Sequence, residues 1–171
     1  MKKTYFLLIC FSFLYSCTFT GTTHKYIAPE NIGTYAFQIL KTLDTLQKED
    51  FKTHFLPFKI AKPIVSSLPR KEKQLFNEFP LEKDKYASAL DKSYSDLKEF
   101  STMNAFTWKD VEFYEYAPGY FENEDVSLHL GLLKFNKNNK EYGVEIRAIT
   151  TKESSGLLLL LHPTEIIQPT Y

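Results

Sequence analysis

The chain of 171 residues has little cysteine and little glycine, with 2 and 6 copies respectively. It has no paired cysteines, no clustered histidines and no His-Glu-x-x-His segment, so the common zinc-binding patterns are missing. A Gly-x-Ser-x-Gly elbow and a glycine-rich phosphate loop are missing as well. The sequence therefore gives no support for metal-dependent, nucleotide-dependent or acyl-transfer chemistry, and we expect neither a metal nor a cofactor.

Charge of one sign is not in excess either, because 21 Lys and Arg balance 21 Asp and Glu. Binding to nucleic acid requires an excess of cations that displaces counterions from phosphates. The hydrophobic share of 43% and the charged share of 25% are close to the average for globular proteins. This composition excludes a disordered, collagen-like or coiled-coil chain, and we expect no nucleic-acid partner.

The first residues have the layout of a secretory signal. Lys2 and Lys3 precede an apolar run from Tyr5 to Leu14, and a small residue follows shortly after. A membrane-spanning helix needs about 20 apolar residues, and a threonine-rich segment follows this run almost at once. The run is too short to span a bilayer, so it is predicted to be a leader.

The sequence Leu14-Tyr15-Ser16-Cys17 resembles the lipobox of bacterial lipoproteins. The resemblance implies a diacylglyceryl group on the Cys17 thiol, cleavage after Ser16, and a fatty acyl group such as palmitate on the new amine. Several acyl chains would anchor the protein in a membrane far more securely than one. Cys10 lies in the leader, so Cys17 would be the only cysteine of the mature chain, which excludes an intrachain disulfide. An ordinary cleaved signal peptide is the alternative.

The predicted organisation is a signal peptide over 1–16, a tether over 17–30 and a single α+β domain over 31–171. A mature chain of this length suits one hydrophobic core. Loss of Lys2 and Lys3 with the leader would reduce 21 basic residues to 19 against 21 acidic ones, a slightly negative total. The sequence from Thr18 to Lys25 has no acidic residue, which by resemblance favours a lipoprotein that faces the periplasm from the outer membrane.

Helical spacing dominates the first half of the domain. Asn31 is a good N-cap for an amphipathic helix whose apolar stripe runs from Ile32 to Leu46. A short second helix is predicted to end at Pro57, with a connection or a short edge segment over residues 59–69. From Arg70 to Phe100 balanced charges and spaced apolar residues predict two surface helices with a break at Pro80.

After Trp108 the apolar residues recur every second position, which predicts antiparallel strands with one buried face. Between two of these strands lies the turn-rich segment 136–140. Pairing that places Leu132 opposite Val144 and Leu130 opposite Ile146 sets the apolar side chains on one face. Five leucines over 157–161 indicate a further strand that is covered on both sides.

Helices followed by strands define the α+β class. One long N-terminal helix, shorter helices and then a four-stranded antiparallel sheet resemble the nuclear-transport-factor-like superfamily, whose fold is also called the cystatin-like roll. The resemblance covers residues 31–168 and implies that the first helix packs into a concave sheet face, over a pocket or a filled core.

Two clusters are candidate functional sites. The predicted register places His129, Glu145 and Arg147 on one sheet face, where a histidine and a carboxylate could act in general acid–base catalysis. A solvated or interface salt-bridge cluster is the alternative we favour there.

The second cluster is the acidic and aromatic segment 110–125, with Pro118-Gly119 as an internal turn. Tyrosines at a border between apolar and wet surroundings suit contact with a basic protein or a sugar. The predicted contact residues are Tyr114, Tyr116, Tyr120 and Phe121. The alternative is an edge hairpin whose tyrosines pack on the core.

These observations lead to three functional hypotheses. The first is a lipid-anchored, non-enzymatic domain that binds a protein partner or a small apolar ligand. The second is a small pocket enzyme of isomerase or dehydratase type, which would use His129 or His162 with a carboxylate. The third is an inhibitor or immunity protein whose acidic and aromatic segment covers a basic partner.

Overall fold

The computed structural model describes residues 26–75, 79–122 and 125–166. Of residue 75 and residues 120–122 it describes the backbone alone. The predicted leader, Cys17 and most of the predicted tether lie outside the described residues. Helices occupy the first half of the described chain and antiparallel strands the second half. The α+β class and the order of the elements are therefore confirmed, whereas the resemblance to the cystatin-like roll stays a prediction.

Five helices precede the sheet. Their bounds are α1 Ile32–Thr42, α2 Lys48–Lys52, α3 Phe58–Ser67, α4 Arg70–Leu75 and α5 Lys83–Met103. Short 3-10 turns lie at Pro29–Asn31 and Trp108–Asp110. None of the helices in the described ranges is long and apolar enough to cross a membrane.

The predicted stripe of α1 is buried, with Ile32, Ala36 and Leu40 all inaccessible to solvent. Asn31 occupies the predicted N-cap position, but its side chain makes no capping hydrogen bond. The helix ends earlier than the stripe does, at Thr42, whose hydroxyl donates a hydrogen bond of 2.9 Å to the carbonyl oxygen of Ile39. This local bond competes with further helical hydrogen bonds, as threonine hydroxyls commonly do.

The prediction that Pro57 ends a helix and that 59–69 is a connection was wrong, because Pro57 precedes α3 and this helix covers most of that segment. Proline is tolerated at a helix start because its φ angle is already helical and the first N–H groups have no helical partner. Ala61 and Val65, four residues apart, are buried on one face of α3. The two surface helices predicted around Pro80 are confirmed as α4 and α5.

The strands form one antiparallel sheet. Their bounds are β1 Glu112–Ala117, β2 Tyr120–Glu122, β3 Val126–Lys137, β4 Lys140–Thr151, β5 Ser155–Leu160 and β6 Thr164–Glu165. The order is β1-β3-β4-β5, while β2 pairs with β3 beyond β1 and β6 pairs with β4 beyond β5. The predicted four strands are therefore present, together with two short ones.

Pro118-Gly119 does not reverse the chain, as the predicted turn would. The N–H of Gly119 bonds to the carbonyl oxygen of Leu130 at 3.1 Å, and the N–H of Leu130 bonds back at 2.9 Å. The chain therefore continues along β3 from β1 into β2. Pro118 lies on this outer strand, where a missing N–H costs the sheet little.

The predicted register of β3 and β4 was wrong by one residue. Leu133, not Leu132, is opposite Val144, and Leu132 is opposite Glu145. The turn between the strands consists of Asn138 and Asn139 alone, with φ of 53° and 61°. A two-residue turn with both φ values positive fixes Lys137 opposite Lys140, and this sets the pairing of every residue behind it.

The helices cover the face of the sheet that carries Leu133, Phe135, Tyr142 and Val144, all buried. The side chain of Trp108 packs on the rings of Phe106 and Phe135, with centroids 5.3 Å away in both cases. Its indole N–H donates a bond of 3.1 Å to the carbonyl oxygen of Leu97 in α5. A filled aromatic core therefore joins α5 to the sheet.

Strand β5 is buried along its whole length, as predicted for its leucines. It lies at the end of the strand order, and the helical layer covers its outer edge. The carbonyl oxygen of Leu157 accepts a hydrogen bond from the N–H of Leu56. The carbonyl oxygen of Leu158 accepts one of 3.3 Å from the hydroxyl of Tyr86, and the carbonyl oxygen of Leu160 accepts one of 2.6 Å from the hydroxyl of Ser93. Side chains of α5 thus satisfy carbonyl groups that a neighbouring strand would otherwise satisfy.

Candidate functional site

The predicted cluster of His129, Glu145 and Arg147 is not assembled. Residues directly opposite each other in a sheet share a face, and His129 is opposite Ala148, whereas Glu145 and Arg147 are opposite Leu132 and Leu130. His129 therefore lies on the helix-covered face and is 1% exposed, while the two charged residues lie on the other face. The one-residue difference in register separates the histidine from the carboxylate.

His129 belongs to a buried chain of hydrogen bonds. Its Nε2 is 3.0 Å from the hydroxyl of Thr150, which is 2.9 Å from the hydroxyl of Ser155. Ser155 donates a bond of 2.5 Å to the carbonyl oxygen of Ile27. These hydrogen bonds join β3, β4 and β5 to the first described residues. The buried hydrogen bonds of His129 therefore have a structural role at the N-terminal boundary of the domain.

Glu145 and Arg147 form an ion pair on the opposite sheet face. Glu145 Oε1 is 3.1 Å from Arg147 Nε, and the guanidinium side chain is 10% exposed, against 45% for the carboxylate. Residues two apart on a strand point to the same side, so this pair is local to β4. The salt-bridge interpretation of these two residues agrees with their geometry.

The other two described histidines lie apart from His129. His54 Nδ1 is 2.9 Å from the hydroxyl of Tyr35, which connects α1 to the segment after α2. Burial lowers the pKa of His54, and the charge of Asp50 partly opposes this shift. His162 is half exposed, and its Nδ1 is 3.8 Å from a carboxylate oxygen of Asp96.

The acidic and aromatic segment divides into a buried part and an exposed part. Tyr116 is opposite Leu133 on the helix-covered face, and its ring lies between Gly33 of α1 and Gly131 of β3. Tyr116 therefore packs on the core, as in the alternative interpretation. Tyr114 lies at the irregularity between Phe113 and Glu115 and is 56% exposed. Tyr120 and Phe121 have side chains outside the described set.

An exposed aromatic surface remains at the start of β1. Phe113 is 44% exposed and contacts the ring of Phe37 in α1, with a centroid distance of 5.2 Å. Tyr114 and Phe113 are therefore the part of the segment that remains available to a partner.

An open groove of about 880 Å³ lies beside Tyr114, at the end of the sheet that carries the β3–β4 turn. We call it the hairpin groove. It is lined by Asp110, Glu112, Tyr114, Asn136, Lys137, Asn138, Asn139, Lys140, Glu141, Glu165 and Ile166. Four carboxylates and two ammonium groups thus face this space, and one aromatic ring borders it.

Lysines offset most of the carboxylates that line the groove, and Glu141 Oε1 is 3.9 Å from Lys134 Nζ. Lys140 Nζ is 2.9 Å from Glu165 Oε2, and Lys137 Nζ donates a bond of 3.3 Å to the carbonyl oxygen of Asp110. The hydroxyl of Thr107 donates to the carboxylate of Asp110, and this bond lowers the pKa of Asp110. The carboxylate of Asp110 therefore stays ionised in the physiological range.

Sequence reasoning predicted the turn at 136–140 but assigned neither the turn nor the β6 side of the groove to a functional site. Asn138-Asn139 was the available signal, because asparagine tolerates the positive φ that a two-residue turn requires. The described ranges contain no group of three or more His, Cys, Asp or Glu residues that could hold a metal ion. Polar contacts with a peptide or another polar ligand are the chemistry that this groove can provide.

Comparison of the chain with models of protein families, with curated proteins and with solved structures found no match.

Proposed function

We propose that the protein is a lipid-anchored lipoprotein of the bacterial cell envelope, facing the periplasm from the outer membrane. Its folded domain binds a protein partner and is not an enzyme. The observation that carries the binding role is the exposed ring of Tyr114 at the hairpin groove, with the exposed Phe113 next to it in β1. The titratable groups expected to act together lie on opposite faces of the sheet. The lipobox residues Leu14 to Cys17 support the anchor.

The lipid anchor is tested by expressing the variant Cys17→Ser in bacterial cells with its own signal sequence, residues 1–16. Loss of the thiol removes the acylation site and blocks lipoprotein-type cleavage, so incorporation of labelled palmitate should cease. A Cys10→Ser variant is the matched control, because Cys10 lies in the predicted leader and should leave labelling unchanged. Palmitate labelling that persists in Cys17→Ser would contradict the anchor.

The binding role is tested by a photoreactive amino acid placed at position 114 of the full chain in cells. We expect a discrete covalent adduct with another protein. Position 26 provides the matched control, because Tyr26 is 51% exposed and precedes Ile27, which bonds to Ser155 at the end of the sheet away from the β3–β4 turn. Equal yields of adducts from both positions, or none from position 114, would contradict a partner contact at β1.

A further inference from the structure

The two edges of the sheet differ in how they are covered. At the edge of β5, the backbone N–H of Leu56 and the hydroxyls of Tyr86 and Ser93 donate to carbonyl groups of the strand. At the other edge, β1 and β2 each pair with β3 alone among the described strands. The side chains of residues 112–115 and of Pro118 are exposed there. An open edge of this kind offers its backbone groups to a strand of another molecule.

The hydrogen bonds of Gly119 show which backbone groups face the open side. Gly119 and Leu130 exchange both of their backbone bonds, at 3.1 and 2.9 Å, so the N–H and C=O of Gly119 point to β3. In an antiparallel pair this direction alternates from residue to residue. The register with β3 is continuous from the last residues of β1 into β2. The backbone groups of Tyr116, Pro118 and Tyr120 therefore point away from β3, to the open side.

A second copy of the chain could use these outward groups in a symmetric register. Two copies related by a twofold axis pair the same residues in both directions. The register that uses all three outward positions in both copies is centred on Pro118, with Tyr116 opposite Tyr120. Glu115 is then opposite Phe121, so this register does not set like charges against each other at these positions. Charge alone therefore does not exclude such a pairing.

Pro118 blocks that register at its centre. Proline has no N–H, so neither copy can donate to the carbonyl oxygen of residue 118 in the other copy. The ring carbon bonded to the nitrogen takes the place of the missing hydrogen, and the two rings would meet between the strands. Within sheets, proline is confined to positions such as this one, on an edge strand with the nitrogen toward solvent.

We infer that Pro118 prevents the edge formed by β1 and β2 from pairing with a second copy of the chain. This edge stays unpaired although the helical layer covers the opposite edge alone. The inference concerns self-association and depends neither on the lipid anchor nor on a partner protein, so it goes beyond the proposed function.

The experiment measures the mass of the purified full chain by sedimentation equilibrium in density-matched detergent. Pro118→Thr restores the N–H on a residue type that favours strands. Pro63→Thr is the matched control, because it makes the same exchange at an exposed position of α3. We expect Pro118→Thr to lower the dissociation constant of a dimer by about tenfold or more, since each copy regains a central hydrogen bond. Pro63→Thr should behave as the unmodified protein does.

Pro118→Cys locates the interface. Cys10→Ser and Cys17→Ser remove the natural cysteines, so the thiol at position 118 lies opposite its own copy. Residues that exchange both hydrogen bonds have Cα atoms about 5.5 Å apart, within the range of a disulfide. Mild oxidation should therefore convert this variant to a covalent dimer. Glu153→Cys in the same background is the control, because Glu153 is exposed and lies between β4 and β5.

Three results would each overturn the inference. They are a Pro118→Thr variant that associates no more than the unmodified protein, equal association of Pro63→Thr, and equal disulfide yields from positions 118 and 153. Unchanged fluorescence of Trp108 shows that each variant is folded. The adduct from position 114 remains a separate test of the proposed function, because it reports on a different molecule.

Discussion

The ring of Tyr116 lies so close to Gly131 that a β-carbon on the glycine would overlap the phenol. Gly33 of α1 contacts the same ring from the helical side, where an added methyl group would also overlap it. Two residues without side chains thus create the space in which an aromatic ring of β1 joins the first helix to the sheet.

This arrangement predicts an unusual sign for Gly33→Ala. Replacing glycine by alanine inside a helix commonly stabilises it by about 1 kcal/mol. Here the methyl group would displace the ring, and overpacking of this kind costs about 1–3 kcal/mol, so we expect a lower free energy of unfolding. Chemical denaturation followed by the fluorescence of Trp108, the single tryptophan, provides the measurement.

The variant Tyr116→Ala supplies the control, because it empties the space beside Gly33. In that background Gly33→Ala should stabilise the protein, as it does in an ordinary helix. A stabilising effect in both backgrounds would show that the ring does not occupy this position.

The covered edge of β5 predicts that one serine of α5 matters far more than its neighbour. Ser93 donates to the buried carbonyl oxygen of Leu160, whereas Ser95 is exposed and donates to Asp91 within the same helix. Ser93→Ala leaves that acceptor buried without this donor and should lower the free energy of unfolding by about 1–3 kcal/mol. Ser95→Ala should change it by less than about 0.5 kcal/mol.

Tyr86→Phe provides a second measure of the same edge, since the hydroxyl oxygen of Tyr86 is 2.9 Å from the carbonyl oxygen of Leu56 and 3.3 Å from that of Leu158, and its single hydrogen is shared between them. We expect a loss similar to that of Ser93→Ala. Equal free energies of unfolding of Ser93→Ala and Ser95→Ala, measured in urea, would mean that α5 does not protect the edge of β5.

The lowered pKa of His54 predicts a pH-dependent stability. Burial lowers the folded-state pKa below the ordinary value of 6.5, so the unfolded chain binds the proton more readily. His54 makes its full contribution to the free energy of unfolding above about pH 6.5, and this contribution is lost as the pH falls through the folded-state pKa. The variant His54→Gln, which retains an acceptor for Tyr35, should reduce this loss in denaturation curves recorded across acidic pH.

His162→Gln is the control, because this imidazole is half exposed and lies outside the contact with Tyr35. The loss assigned to His54 should persist in it. A pH dependence that is the same in His54→Gln and in the unmodified protein would reject the assignment.

The class, the element order and most buried helical residues could be predicted from the sequence, because they depend on local periodicity. The stripe of α1 and the break at Pro80 are such features. The hairpin groove could not be predicted, since it forms where β1, the β3–β4 turn and Glu165 of β6 meet across the sheet. Its position depends on long-range pairing that the spacing of apolar residues does not specify.

The predicted register of β3 and β4 was wrong because the alternation of apolar residues changes within β3. Leu128, Leu130 and Leu132 keep one alternation, but the apolar positions move by one residue at Leu133 and Phe135. Both alternations offer an apolar face, so the pattern alone does not decide between them. The two-residue turn at Asn138 and Asn139 decides, and it selects the alternation that contains Leu133.

The two registers make opposite predictions for neighbouring leucines, which gives a direct test. Leu133 is fully buried against the helices, whereas Leu132 is half-buried on the opposite face, across from Glu145. Leu133→Ala should therefore lower the free energy of unfolding by about 2–5 kcal/mol, as deletion of a core side chain does. Leu132→Ala should cost clearly less, because its site is partly hydrated and leaves a smaller cavity. Urea denaturation of both variants measures the difference. A larger loss of unfolding free energy in Leu132→Ala would support the register predicted from the sequence, which places His129 on the same face as Glu145.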